Sequence, residues 1–413
     1  MSRPIPRSAE DFRNHPNPLA RHYSRFRVGE RWLLSGHSHQ AWPDCGFAGQ
    51  KEAWEDAAQN VDDKWERAFA KAERVRSGYR RLLDDPDGLY SLAASTHDLV
   101  IKLFSALPLA ERPKIVTTES EFYSMARQLA RWQEEGIEVV RVPSLPAESV
   151  GERLAGAVCD RTAAVYTSTV FFDTGAIAGD LTPAAVACRR SGCPLVLDVY
   201  HQLNVVPFSL RELDLEDAYV VSAGYKYCQL GEGNAFLRFP NDCDLRPLLT
   251  GWFAEFGELT TARVEGEVRY AAGNDRFAGA TYDPTSHYRG ARVFDFFDRQ
   301  ELEPRLLRTV SQHQVGLLIK AFDALDLDPG LVRRRRSLPL ADTGGFLALT
   351  SPVAGDLQKA LKRKGVFTDS RATTLRLGPA PYLSDRLIEE AVHILGETAR
   401  SLGAGSRSQT EKR

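Results

Sequence analysis

Short, nearly unbroken apolar runs alternate with amphipathic stretches between residues 90 and 240. The runs are rich in Val or Ile, which is typical of strands that are buried on both faces. The predicted strands cover residues 114–118, 138–143, 163–169, 194–199 and 219–223. The stretches between them, such as 122–135 and 182–191, repeat apolar residues at helical spacing. This rhythm predicts a mostly parallel α/β sheet with helices on both faces.

The pattern is different on either side of this region. Prolines interrupt the first 35 residues, residues 47–83 are rich in helical spacing, and shorter mixed elements follow residue 290. These later elements predict a second, smaller α+β domain. The predicted division is an N-terminal arm over residues 1–45, a large domain over 46–290, a small domain over 291–402 and a disordered tail over 403–413.

Composition narrows the class of protein. The 413 residues carry a net charge of -2, which argues against a dedicated partner of nucleic acid or of an anionic membrane. The six cysteines form no C-x-x-C pair, so a disulfide scaffold or zinc module is not expected and a reducing cytoplasm fits. No long apolar run or signal-like N-terminus is found. The run of four arginines at 333–336 is typical of a solvated edge.

Two residues at predicted strand ends have side chains suited to catalysis or to binding a cofactor. Lys226 follows the apolar run 219–221 between two tyrosines, where loss of water would lower its pKa and expose a nucleophilic amine; a surface lysine is the plain alternative. Asp198 ends the run before it and is suited to a nucleotide ribose or to a pyridinium nitrogen. No G-x-G-x-x-G turn supports a dinucleotide fold, whereas the pyridinium interpretation requires a downstream lysine, which Lys226 provides.

These residues belong to a longer pattern that resembles the class V aminotransferase group of pyridoxal phosphate (PLP) enzymes, and kynureninase most closely. The family reads D-x-x-H, Y-K-Y and G-P-G where this chain has Asp198-Val199-Tyr200-His201, Tyr225-Lys226-Tyr227 and Gly231-Glu232-Gly233. Weaker matches keep the same order over about residues 36 to 400. They are Ser95-Thr96-His97-Asp98-Leu99, Glu119 with Phe122, Thr174-Gly175-Ala176, Gly251-Trp252-Phe253, Asp275-Arg276-Phe277, and Asp369-Ser370-Arg371 with Leu375-Arg376.

The resemblance implies PLP as cofactor and an aminotransferase-like fold: a large, mostly parallel sheet domain of the seven-stranded type and a smaller α+β C-terminal domain. It makes Lys226 the catalytic lysine that binds the cofactor, and Asp198 the partner of the pyridine nitrogen. The other implied cofactor contacts are His201, Ser95, Thr96, Phe122, Tyr225, Trp252 and Thr281. Arg376 would bind the substrate α-carboxylate, with Ser38 and His37 also near the substrate.

Several of these assignments have alternatives. Thr96 is also suited to a helix cap, Phe122 to the core, and His201 to a structural position beside the cofactor. Ala280 competes with Thr281 because that match is shifted by one residue. His37 and His39 would point the same way in an extended segment, but no third metal ligand is evident, so a place in the substrate pocket is favoured and no metal is expected.

The expected activity follows from the resemblance and its departures. We expect a homodimeric, cytoplasmic PLP enzyme with shared active sites and an N-terminal arm that contributes to them. It would act on an α-amino acid by kynureninase-like cleavage at the β-carbon; the alternatives are a class V aminotransferase and a catalytically idle scaffold or regulator. The kynureninase H-V-N-Y segment is replaced at 169–173, which leaves kynurenine itself in doubt. Because no cysteine follows Cys243, persulfide chemistry with a C-terminal cysteine is not expected.

Overall fold

The computed structural model describes residues 8–255 and 266–410 of the chain. The strands are β1 (Trp32–Leu33), β2 (Leu89–Ala93), β3 (Lys114–Thr118), β4 (Glu138–Val142), β5 (Thr162–Ser168), β6 (Leu195–Asp198), β7 (Tyr219–Ala223), β8 (Ala235–Phe239), β9 (Arg333–Arg334), β10 (Leu347–Thr350), β11 (Val366–Phe367), β12 (Asp369–Arg371) and β13 (Thr374–Leu377). The α-helices are α1 (Cys45–Asn60), α2 (Lys64–Leu83), α3 (Thr96–Ser105), α4 (Tyr123–Glu134), α5 (Val150–Ala157), α6 (Thr182–Ser191), α7 (Thr285–Arg299), α8 (Pro304–Ala324), α9 (Ala354–Arg363) and α10 (Asp385–Thr410).

The main sheet has seven strands in the order β2-β8-β7-β6-β5-β3-β4. Within this sheet β8 alone runs antiparallel to the other six strands, and every residue of β5 and β7 is buried. The mostly parallel sheet predicted from the sequence is therefore confirmed. The strands β2 and β8, at one side of this sheet, were not predicted from the sequence.

Parallel strands bring their carboxyl ends to one edge of the sheet, and this positions the polar residues that follow them. The loop after β2 leads directly into α3, and α4 follows β3 after a short turn. Asp198 is the last residue of β6, and Lys226 lies in the turn after β7. Gly224 permits this turn, because an added Cβ there would lie 2.4 Å from the Leu230 side chain. Ligand sites in such sheets lie at this edge.

A second sheet of four antiparallel strands has the order β12-β13-β10-β9. The N-terminal arm reaches it through β1, which pairs in parallel with β11. Beyond β1, the Gly36 N–H donates to the Gly378 carbonyl at 2.7 Å, and the Gln40 N–H donates to the Tyr225 carbonyl at 3.3 Å. The arm therefore connects the end of β13 with the turn that carries Lys226.

The predicted division into domains stays a prediction, and two of its boundaries, at residues 290 and 403, fall inside helices. The boundary at residue 290 falls inside α7, which is continuous because its apolar face packs against α1 and α2. The contact between α1 and α7 is close: a Cβ added at Gly49 would lie 2.6 Å from the Tyr288 carbonyl oxygen. The backbone is helical through Thr410 where a disordered tail was predicted from residue 403, since no proline interrupts α10. Residues 1–7 and 411–413 of the predicted arm and tail lie outside the described residues.

In the described part of the chain, no helix has the length and apolar surface needed to span a membrane.

Candidate active site

A cavity of about 380 Å³ opens at the carboxyl edge of the main sheet. Of the site residues that the sequence predicts, seven line it: Ser95, Thr96, Phe122, Asp198, His201, Tyr225 and Lys226. They come from the ends of β2, β3, β6 and β7, so the fold assembles residues that are up to about 130 positions apart in the chain.

Lys226 is the nucleophile candidate of this cavity. Its side chain is buried, and Nζ lies 2.9 Å from His201 Nε2. Burial lowers the Lys226 pKa to about 7, with Asp198 opposing and Arg376 adding to the shift. Burial also lowers the pKa of His201 well below its ordinary value, so the imidazole is neutral near pH 7 and accepts a hydrogen bond from Nζ. A large share of Lys226 is therefore an uncharged amine at neutral pH.

Asp198 presents a carboxylate in the same cavity. Tyr166 Oη donates to its Oδ2 at 3.0 Å, and the Tyr200 N–H donates to its Oδ1 at 2.9 Å. Burial nevertheless raises the Asp198 pKa, because these bonds and the Lys226 charge compensate only part of the lost hydration. Within the described residues no salt bridge involves Asp198. The carboxylate is thus suited to a cationic partner from a ligand.

The start of α3 forms a polar corner of the cavity. Ser95 is the N-cap residue, and its Oγ accepts a hydrogen bond from the Asp98 N–H at 3.2 Å. Thr96 Oγ1 donates to the Ser222 carbonyl at 3.1 Å and lies 2.6 Å from Tyr200 Oη. A helix start carries free N–H groups and the positive end of the helix dipole. This corner is therefore suited to an anion.

Aromatic rings form the remaining walls. The Phe122 ring centroid lies 5.7 Å from Lys226 Nζ, and Phe172 meets Phe122 edge to face at 5.5 Å. At the opposite side, His39 stacks on Tyr225 with ring centroids 5.0 Å apart. The cavity can therefore hold a flat ring between apolar faces while its polar corners bind charged substituents.

Arg376 lies behind the Phe172 wall and does not line the cavity. It is only 2% exposed; one guanidinium nitrogen donates to the Phe172 carbonyl at 3.0 Å and another to the Asp369 carboxylate. Arg371 also donates to Asp369, at 2.6 Å. The expected substrate arginine is therefore held by a carboxylate of the protein itself.

His37 and His39 do not point the same way, contrary to the sequence-based expectation. Residues 35–39 form a turn, with the Ser38 N–H and the His39 N–H both donating to the Ser35 carbonyl. His37 is fully buried, 3.6 Å from Asp369, and burial lowers its pKa to about 3. His39 is exposed and lines the cavity mouth. In the described residues no three His, Cys, Asp or Glu side chains converge to hold a metal ion.

Five predicted site residues lie outside the cavity wall: His37, Ser38, Trp252, Thr281 and Arg376. Trp252 is partly exposed and packs on Phe253, with ring centroids 4.3 Å apart. Thr281 and its rival Ala280 are both exposed. Their assignment to the phosphate of a cofactor stays a prediction, and it requires a second subunit.

Tyr166, Ser168 and Phe172 in the cavity, and the buried Glu121 beside them, were not predicted as site residues from the sequence. Tyr166 and Ser168 alternate on β5 and face the same side as Asp198 on β6, a signal readable in the polar end of the strand. Phe172 lies in the segment 169–173 that replaces the H-V-N-Y of the family pattern. Glu121 is buried next to Ser168, whereas the residue matched to the family, Glu119, is exposed.

Comparisons with known proteins bear on the fold. The sequence matches no family model, and no curated protein matches it significantly. Among solved structures, a variant of C-DES with glycine covalently linked to the PLP cofactor has a TM-score of 0.77 and 15% identity over 92% of this chain and 99% of that one. A cysteine desulfurase from Thermococcus onnurineus NA1 has a TM-score of 0.77 and 14% identity over 94% and 99%. The cysteine desulfurase CsdA from Escherichia coli has a TM-score of 0.74 and 16% identity over 96% and 99%.

The chain therefore has the fold of these PLP-associated proteins, an α/β fold with a large, mostly parallel sheet. At 14 to 16% identity the likeness concerns the fold, and it does not distinguish a kynureninase-like protein from other proteins of this fold.

Proposed function

We propose that this protein is a PLP-dependent enzyme that acts on an α-amino acid and cleaves a bond at its β-carbon. One observation carries the proposal: a buried lysine with a pKa lowered to about 7 shares a cavity with an aspartate that forms no salt bridge within the described residues. Lys226 offers the amine for a covalent link to an aldehyde, and Asp198 offers the anion for a protonated pyridine. Structures of the same fold that contain PLP support it.

The donor set of the cavity fits PLP. Asp198 lacks a salt bridge among the described residues, and a buried carboxylate is stabilised by a cation held close to it. The N-terminus of α3, with Ser95 and Thr96, would bind the phosphate, and Tyr225 lies on the same side of the cavity. Phe122 would cover one face of the ring. When bound, PLP supplies an electron sink that stabilises a carbanion at the substrate Cα.

Lys226 has the position and pKa of the proton carrier. A neutral Nζ can take a proton from the substrate Cα, and at a pKa near 7 it can return that proton to another atom without a large free-energy cost. The proton stays on Nζ rather than moving to His201 Nε2, because burial and the charges of Lys226 and Arg376 keep the imidazole neutral. His201 therefore orients the amine and does not act as the base.

Arg376 is the proposed ligand of the substrate α-carboxylate, and the structure adds a condition. The guanidinium now bonds Asp369, so a substrate carboxylate must compete with that residue. Within the described residues, Arg376 Nε is buried without a hydrogen-bond partner. This unpaired N–H donor beside Asp369 favours an anionic group entering this region after Phe172 turns aside.

The choice of β-carbon cleavage rests on chemistry shared with proteins of the same fold. C-DES is described as a cystine C–S lyase with cysteine persulfide as its product, and CsdA is a cysteine desulfurase. In this chain none of the six cysteines lines the cavity formed by the described residues. Sulfur transfer to a cysteine of the chain is therefore not favoured, and a leaving group released to water is. Transamination, the alternative, would begin with the same proton transfer at Cα.

We further propose a homodimer in the cytoplasm, in which Trp252 and Thr281 complete the phosphate site of the partner subunit. Support comes from their exposure in the single chain and from the resemblance of their segments to PLP enzymes. Mixed dimers of Lys226→Ala and Thr281→Ala subunits test this arrangement. If the site is shared, the mixed dimer should retain PLP at one site of two. If the sites are independent, each subunit of the mixed dimer should retain as much PLP as it does in its own homodimer.

The decisive experiment is PLP binding followed by product analysis. Wild-type protein should show a visible absorption band with PLP, and borohydride should then fix PLP irreversibly to Lys226, identified by peptide mass. The Lys226→Ala variant should lose this fixation, while Lys359→Ala, which changes an exposed lysine, should keep it. A screen of amino acids on the loaded protein then separates cleavage products from transamination products. Fixation equal in the wild type and Lys226→Ala would refute the cofactor assignment.

A further inference from the structure

Glu121 is a buried carboxyl group that the mechanism above does not use. It lies in the turn between β3 and α4 and is 4% exposed. Thr118 Oγ1 donates to its Oε1 at 2.5 Å, and Ser168 Oγ donates to its Oε2 at 2.7 Å. The Ser168 N–H also donates to the carboxylate, at 3.1 and 3.2 Å. These hydrogen bonds hold the Glu121 side chain at the end of β5.

Ser168 connects this buried group with the cavity. It pairs with Asp198 across β5 and β6, so both side chains project from the same face of the sheet, and both line the cavity. A hydroxyl has one proton to donate. While Glu121 is ionised, that proton is bonded to Oε2, and the lone pairs of Ser168 Oγ face the cavity. When Oε2 is protonated, it donates to Ser168 Oγ, which frees the serine proton to turn toward the cavity.

The charges around Glu121 favour a change between these two states near neutral pH. Burial raises its pKa to about 7, against the hydrogen bonds from Thr118 and Ser168, and the nearby Asp198 charge adds to the rise. Tyr166, the other titratable group next to it, stays protonated because burial and the two carboxylates raise its own pKa. Glu121 therefore changes charge near pH 7, as does Lys226, which lines the same cavity.

We propose that Glu121 is a positioning residue that acts through Ser168: its protonation state decides whether the cavity wall beside Asp198 offers a bound ring a hydrogen-bond donor or an acceptor. The inference rests on the proposed function, since the ring in question is that of PLP. With Glu121 ionised, the wall favours a protonated ring substituent. With Glu121 neutral, it favours a deprotonated one.

The test compares two titrations of the PLP-loaded protein. Visible absorption reports the bound ring, and infrared difference spectra report the C=O band of the buried carboxylic acid. In the wild type both should change together near pH 7. In Glu121→Gln the carboxyl band and its absorption step should vanish. In Ser168→Ala the carboxyl band should still titrate, but the absorption step that follows it should be lost. That separation is not expected of a residue with a merely structural role.

Thr118→Val serves as the matched control because Thr118 bonds Glu121 but does not line the cavity. Loss of a hydrogen bond to the ionised form should move both titrations upward by about one pH unit together. Should Glu121→Gln fail to fold, the Ser168→Ala and Thr118→Val pair still decides the matter. If the wild-type absorption step is unchanged in Ser168→Ala and Thr118→Val, the inference is overturned but the proposed function is not. Absence of any PLP band in the wild type overturns the proposed function and the inference with it.

Discussion

Replacing Lys226 by methionine should stabilise the PLP-free protein near neutral pH. The native structure buries Nζ in a cavity wall, and this environment lowers its pKa from 10.5 to about 7. The unfolded chain keeps the ordinary lysine pKa. Between these two pKa values the unfolded state binds one more proton than the native state, so the stability of the wild type rises with pH across this window. Methionine carries no charge and removes this dependence.

The expected size of the effect follows from the two pKa values. Holding the amine in the native environment costs about 4 kcal/mol near pH 7 and about 1 kcal/mol near pH 9.5. Methionine has a similar length but leaves His201 Nε2 without its partner at 2.9 Å, which offsets about 1 kcal/mol. Lys226→Met should therefore raise the free energy of unfolding by about 3 kcal/mol near pH 7, with almost no gain near pH 9.5.

Urea denaturation of the PLP-free proteins, followed by fluorescence at both pH values, measures this difference. Lys359→Met is the matched control, because Lys359 is 70% exposed and its substitution should change stability by less than about 0.5 kcal/mol at either pH. A gain for Lys226→Met that is equal at the two pH values would indicate a packing effect. No gain at either pH would refute the lowered pKa, and with it the main argument for a reactive lysine.

Three further changes test the rest of the site. Thr96→Val removes a hydroxyl at the start of α3 and should weaken PLP binding about tenfold in a fluorescence titration; unchanged affinity would exclude this corner as the phosphate site. Asp369→Asn should free Arg376 and lower the KM for α-amino acids about tenfold, but not for the corresponding decarboxylated amines; equal changes would argue against a carboxylate at Arg376. Asp198→Asn removes a charge that raises the Lys226 pKa, so the pH midpoint of PLP attachment should fall, and a rise would contradict the assigned coupling.

The buried strands could be predicted because their environment leaves a direct signal in the sequence. A strand covered on both faces is buried at nearly every position, as β3, β5, β6 and β7 are, and each of these strands contains at least two successive apolar residues. The strand β8 was missed because Arg238 interrupts its apolar run. In the structure this arginine is 2% exposed and bonds Asp85 at 2.7 Å through two nitrogens, a pairing that depends on a residue about 150 positions earlier.

The same difference between a local signal and a long-range contact separates the site residues that were predicted from those that were missed. Asp198 is recognisable because it directly follows an apolar run, and Lys226 because it lies in the turn just after one, so the position at a strand end carries the information. Glu121 sits in the polar segment Glu119-Ser120-Glu121, which reads as a solvated turn. It is buried only because Ser168, on another strand, supplies its hydrogen bonds. Tertiary pairing of this kind is not visible in a single sequence.

Arg376 shows how a correct residue type can occupy an unexpected state. Asp369 on β12 and Arg376 on β13 are direct cross-strand partners in the antiparallel register. Opposite charges at such positions attract each other. The register depends on the tight turn at residues 372–373, which the sequence does not specify. The Arg376 guanidinium can therefore either bind a substrate or hold β12. A substrate carboxylate would have to displace Asp369 before Arg376 could bind it.

The arrangement of charges in the cavity also fixes which way round PLP is expected to bind. Asp198 offers a negative charge at the end of β6, and the start of α3 offers the positive end of a helix dipole. A ring bound with its nitrogen toward Asp198 places the phosphate among free N–H groups. The reverse orientation would bring a phosphate against a carboxylate whose pKa burial already raises, which costs free energy at both ends. Lys226 follows β7, a strand that lies between them in the sheet, and would supply the amine for the aldehyde of a ring held in the first orientation.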